Sequence, residues 1–96
     1  MRSAPQAHEA GRPGQPMFHY VYQLASLDHP DHHYTGFTEH LDERLAKHNR
    51  GEVSATAALR PWRIEVAVAF RDRAKAAAFE RYLKSHSGRA FASRHF

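Results

Sequence analysis

The sequence predicts an α/β (α+β) domain, a small three-stranded antiparallel sheet flanked by helices in the order ββαβα(α). Three observations carry that reading. Two short runs rich in aromatic and β-branched residues, FHYVYQL at 18–24 and HYTGF at 33–37, flank the turn-forming SLDHPDH and read as a hairpin. A third run, WRIEVAVAF, alternates Trp62, Ile64, Val66, Val68 and Phe70 with smaller or polar residues, the period-two pattern of a strand. The stretches after the second and third strands place apolar residues at helical spacing.

Residues 1–16 contain Pro5, Pro13, Pro16, Gly11 and Gly14, with no apolar side chain larger than alanine beyond Met1. They are expected to form a disordered N-terminal tail that precedes a domain at 17–96, and Met17 offers a second start. In the first strand, Phe18, Tyr20, Tyr22 and Leu24 fall on one face. A helix from about 39 to 50 follows the hairpin, with Thr38 as N-cap, Glu39 and Asp42 at the positive end of its dipole, and Gly51 just past its end. Its stripe is Leu41, Leu45 and His48, with Arg44 beside it. Residues 51–61 connect to the third strand. Asp72 caps a second helix from about 73 to 85 carrying Ala76, Phe79 and Leu83, a break is expected near Gly88, and a short basic helix ends the chain.

The chain has 96 residues and no cysteine, so one core is expected, without disulfides or a thiolate metal site. No apolar run approaches the roughly 18 to 20 residues a membrane span requires, and the N-terminus lacks the hydrophobic core of a signal peptide. A cytoplasmic protein is the expectation. Charge is unevenly distributed: residues 60–96 hold nine Lys or Arg against three Asp or Glu, whereas residues 1–59 hold five against seven. A basic C-terminal third points to an anionic partner, nucleic acid first. P-loop, dinucleotide-binding, HExxH and G-x-S-x-G patterns are absent.

Several residues admit two readings. Glu80 borders the buried face of the second helix and needs either a cationic partner, such as an arginine, or a metal ion. Arg44 can snorkel past Leu41, and His48 can be satisfied at the end of its helix. Tyr20, Tyr22 and Tyr34 are residue types that pack well across strands. Asp28, His29, Asp31, His32 and His33 form a dense run of potential zinc or transition-metal ligands, although Pro30 and the shortness of the turn favour a surface turn.

Taken in order, Tyr20-Val21-Tyr22, Tyr34-Thr35-Gly36, Arg44, His48 and Glu80 resemble the motif positions of the GIY-YIG nuclease superfamily. The ordered part of the chain is most similar to small single-domain bacterial members related to the UvrC N-terminal domain. The resemblance runs from about Phe18 to Phe96 and includes Arg60-Pro61-Trp62 and Phe79-Glu80-Arg81-Tyr82-Leu83-Lys84-Ser85. It departs from the pattern at Tyr20, where the first tripeptide begins with glycine, at Thr35, where an aliphatic residue is usual, and at His86, where related tails often carry glycine.

The resemblance implies hydrolysis of DNA phosphodiester bonds, with Mg²⁺ or Mn²⁺ held by Glu80. It also implies catalytic roles for Tyr22, Tyr34, Arg44, His48 and Glu80. Tyr34 is the candidate general base and Tyr22 positions it or the attacking water; a phenol, with an ordinary pKa of about 10, needs nearby positive charge to act so. Arg44 would stabilise the transition state, and His48 would assist proton transfer or bind phosphate. Lys84, Arg89 and Arg94 can contact phosphates without reading sequence. The competing expectation is a nucleic-acid-binding module with the same fold and little activity without a partner protein.

Overall fold

A computed structural model describes residues 17–96. The expected N-terminal tail lies outside them. Strand β1 (His19–Ser26) runs through the middle of a three-stranded sheet, with β2 (His33–Thr38) on one side and β3 (Trp62–Phe70) on the other, both antiparallel to it. Helix α1 (Leu41–Asn49) follows β2, and α2 (Arg73–Lys84) and α3 (His86–His95) follow β3.

Both faces of the sheet are covered, which is why the central strand reads as a nearly continuous apolar run. On one face Tyr22, Leu24 and Trp62 pack with Tyr34 and Ile64 of the flanking strands, Leu41 and Leu45 of α1, and Leu59 of the 51–61 connection. On the other, Val21, Ala76, Leu83 and Ala92 pack with Phe37, Phe70, Phe79 and Phe91 beneath α2 and α3.

Strand β3 departs from the single stripe its alternation predicts. Val66 stands opposite Gln23 and Ile64 opposite Leu24, so Glu65 is a surplus residue and the ladder bulges there. Directly paired residues share a face. Val68, opposite Val21, therefore lies with Phe70 on the α2 side, whereas Trp62 and Ile64 lie on the α1 side.

Helix α1 begins later than expected. Its N-cap is His40 with no side-chain cap, because Thr38 is still in β2, where its buried hydroxyl accepts the His40 N–H at 3.0 Å. The other end follows the sequence: Gly51 takes φ +81°, its N–H donates to the His48 carbonyl at 3.1 Å and the Glu52 N–H to that of Lys47 at 3.1 Å. This is a Schellman ending. Asp72 caps α2 by accepting from Ala74 N–H at 2.8 Å. The break after α2 falls at Ser85 instead of near Gly88; the Ser85 hydroxyl donates to the Tyr82 carbonyl and accepts the Gly88 N–H, ending one helix and opening the next. Gly88 sits where any side chain would strike the Tyr82 carbonyl, which lets α3 turn back tightly.

The histidine-rich turn is fastened by Ser26, whose buried hydroxyl donates to the Leu59 carbonyl at 2.8 Å and accepts the His29 N–H at 3.2 Å. Among the described residues no three His, Asp or Glu side chains gather to hold a metal ion, so the residues of this turn do not converge. Nor is any described helix long and apolar enough to cross a membrane.

Candidate active site

Tyr22 lies at the centre of the sheet, opposite Gly36 of β2. A β-carbon at Gly36 would fall on the Tyr22 phenol, so the glycine is the opening through which that ring crosses the neighbouring strand. The second tripeptide thus accommodates the first. Tyr34, two residues earlier on β2 and on the same face, is half-buried, with its ring 6.5 Å from that of Tyr22.

His48 comes from the last turn of α1 and meets both tyrosines. Its Nε2 is 2.9 Å from the Tyr22 hydroxyl, its Nδ1 is 2.7 Å from the Thr56 hydroxyl, and its ring stands edge-on to Tyr34 at 5.0 Å. The residue is 0% exposed. Both nitrogens are engaged within the protein, so the ring is held between the Tyr22 and Thr56 hydroxyls and presents no free nitrogen for phosphate. Burial, helped by the charges of Arg44 and Lys47, pushes its pKa below the ordinary 6.5, so the ring is neutral at neutral pH.

Burial has the opposite effect on the Tyr22 hydroxyl, whose pKa is pushed up to about 12 even though Arg44 pulls it down through its charge and a hydrogen bond. Tyr34 and Glu80 raise it further. Arg44 and Glu80 therefore act on one phenol from different helices. Arg44 also lines a cleft of about 170 Å³ with Thr38, His40, Glu43 and Lys47.

The carboxylate of Glu80, about one-fifth exposed, pairs with the Lys84 ammonium one turn along α2 at 2.9 Å. Its cationic partner is thus a lysine, not the arginine considered from spacing. Arg89 donates to the Lys84 carbonyl at 2.7 Å and so caps the end of α2. It also borders a cavity of about 420 Å³ lined in part by Gln23, Asp31, His33 and Glu65, on the sheet face away from Tyr22. Arg94 is exposed in the last turn of α3. The structure brings together Tyr22, Tyr34, Arg44 and His48, sets Glu80 within electrostatic reach, and places Arg89 and Arg94 outside that cluster.

Sequence reasoning missed three contributors. Thr56 is 1% exposed and supplies the hydroxyl behind His48. Trp62 donates its indole N–H to the Thr56 carbonyl at 2.8 Å. The Asn49 side chain brackets the Trp62 backbone, donating to its carbonyl at 3.0 Å and accepting its N–H at 2.7 Å. A lone threonine in a connection carries no periodic signal. The indole, in contrast, needed a partner for its N–H, and that need could have pointed back to the loop.

Fold and site together define a small α+β domain whose central feature is a buried tyrosine–histidine pair, with an arginine and a carboxylate acting on the phenol. The family profile of the GIY-YIG catalytic domain matches residues 18–93, and the chain belongs to that family. Its domain is accordingly of the nuclease type. No curated protein matches the chain.

Proposed function

We propose that this protein is a metal-dependent endonuclease that hydrolyses DNA phosphodiester bonds in repair, recombination or processing, in the cytoplasm, with Mg²⁺ or Mn²⁺. The observation that carries this reading is the meeting of Tyr22, Tyr34, Arg44 and His48 on one face of the sheet, with the Glu80 carboxylate acting on the same phenol.

The donors fit such an ion. A hard cation of this kind takes oxygen ligands, keeps several waters and needs only one or two carboxylates beside substrate phosphate. Glu80 offers one carboxylate that is partly open to solvent and held by a single exposed lysine. When bound, the ion supplies charge neutralisation at the phosphate and polarises it.

The protein's own groups do the rest. Tyr34, half-buried with its ring 6.5 Å from that of Tyr22, accepts the proton of the attacking water. Tyr22 stays protonated; it presents its oxygen to Arg44 and fixes the guanidinium against the phosphate, where Arg44 offsets the charge that grows in the transition state. His48 positions Tyr22. Arg94 holds the phosphate backbone without reading bases, and Lys84 and Arg89 join it only when they leave the Glu80 carboxylate and the cap on α2 respectively.

A cleavage assay on duplex, branched and single-stranded DNA with Mg²⁺ or Mn²⁺ tests this, with Glu80→Ala and Tyr34→Phe as controls. Activity is expected from the intact chain and loss from each variant; activity that survives both substitutions overturns the mechanism. The Glu80–Lys84 pair favours a second reading, a nucleic-acid-binding module of low intrinsic activity, since the metal-holding carboxylate already has a counterion. A partner that draws Lys84 away would then switch it on. That module binds DNA with a steep salt dependence and shows no metal-dependent turnover alone.

A further inference from the structure

We infer that Thr56 is a positioning residue of this site, a buried hydroxyl that keeps the proton of His48 on Nδ1 and thereby sets the direction in which the Tyr22 phenol donates. The inference extends the nuclease reading to a residue of the connection between α1 and β3, and it rests on that reading only for its kinetic consequence.

The direction follows from the two ends of one hydrogen-bonded chain. At one end the Val53 carbonyl can only accept, and the Thr56 hydroxyl lies 3.3 Å from it. Thr56 therefore donates to Val53 and must accept from His48 Nδ1 at 2.7 Å. That leaves Nε2 as an acceptor for the Tyr22 hydroxyl at 2.9 Å. At the other end the Arg44 guanidinium can only donate, and it acts on the Tyr22 oxygen. The three hydrogen bonds from Tyr22 through His48 and Thr56 to Val53 then each have one donor and one acceptor. Reversing the chain would turn the Tyr22 proton away from His48, toward the Arg44 cation, and leave the Val53 carbonyl with the Thr56 N–H alone.

Thr56 is built to hold its place. Its N–H donates to the Val53 carbonyl at 3.0 Å, its carbonyl accepts the Trp62 indole N–H at 2.8 Å, and its side chain is β-branched and stiff about χ1. Trp62 is in turn held by Asn49 at the end of α1, so the loop and the histidine are fastened to the same anchor. Serine would keep the hydroxyl, and valine would keep only the shape.

The test combines the protonation pattern of His48, read by NMR of the full chain with ¹⁵N-labelled histidine at neutral pH and assigned against His48→Gln, with single-turnover and steady-state cleavage. The intact chain is expected to carry the His48 proton on Nδ1. Thr56→Val is expected to shift the proton toward Nε2 and to lower kcat about 10-fold with KM unchanged, a loss typical of an orienting partner. Thr56→Ser is expected to restore both. A proton on Nε2 in the intact chain overturns the inference, as does a Thr56→Val variant that keeps Nδ1–H and full kcat. Should Thr56→Val not fold, the intact chain and Thr56→Ser still decide the matter through the protonation pattern. If the intact chain cleaves no DNA, the nuclease reading fails while the NMR result still judges Thr56.

Discussion

Tyr22 and His48 have their pKa values displaced in opposite directions by the same burial, and each displacement has a consequence for stability. For Tyr22 the folded value of about 12 exceeds the ordinary 10.0, so between those values the native state binds more protons than the unfolded one. The contribution is fully present below pH 10 and is lost as pH rises through 12; two units correspond to about 3 kcal/mol. Tyr22→Phe is expected to remove this component of the alkaline decline, measured by urea unfolding between pH 9 and 12. His48 has the reverse sign: its pKa is depressed, so stability is present above pH 6.5 and falls as pH drops toward the lowered value. His48→Gln should flatten that acid limb. From sequence, Tyr22 and His48 were legible as candidates because they stand at motif positions. That both are fully enclosed was not legible, since enclosure depends on Thr56 and Trp62 arriving from elsewhere in the chain.

Helix ends were the most legible elements where capping is local. Gly51 and Asp72 announce themselves because one supplies φ > 0 and the other a carboxylate beside free N–H groups. Gly51→Ala places a β-carbon on the Arg60 guanidinium and forces alanine into a left-handed conformation, so a loss of more than about 1 kcal/mol is expected. Asp72→Ala is expected to cost about 1 kcal/mol. Thermal unfolding of both variants checks these values. The start of α1 misled because Thr38 is an excellent cap by type, but pairing with Tyr20 keeps it in the sheet. Tertiary pairing outweighed a local preference.

Across the whole molecule, fold class and element order were readable because each strand and helix has its own periodicity. The assignment of faces was not, since a one-residue bulge changes which side a side chain occupies without changing the pattern along the chain. Charge shows a similar division. The basic C-terminal third was visible in the sequence, but not that Lys84 neutralises Glu80 or that Arg89 caps α2. DNA affinity should therefore depend more on Arg94 than on Arg89, which is likewise exposed but has its guanidinium engaged with the Lys84 carbonyl. Arg94→Gln is expected to weaken binding uniformly across sequences and to reduce the slope of log K against log salt by roughly 1, whereas Arg89→Gln should change it less. Fluorescence anisotropy over a salt series distinguishes the two.

Glu65 gives the third strand the property of two half-strands joined out of phase. Residues 62–64 and 66–70 each keep their own alternation, and one extra residue reverses the phase between them. Shortening the chain by that residue would leave Trp62 and Ile64 facing α1, and Val66, Val68 and Phe70 facing α2, now through an unbroken ladder. A variant lacking Glu65 is thus expected to fold, whereas one lacking Val68 would turn part of the strand inside out and fail to give a cooperative transition. Within the ladder, Glu65 is thus a site where a residue can be lost without any paired side chain changing sides.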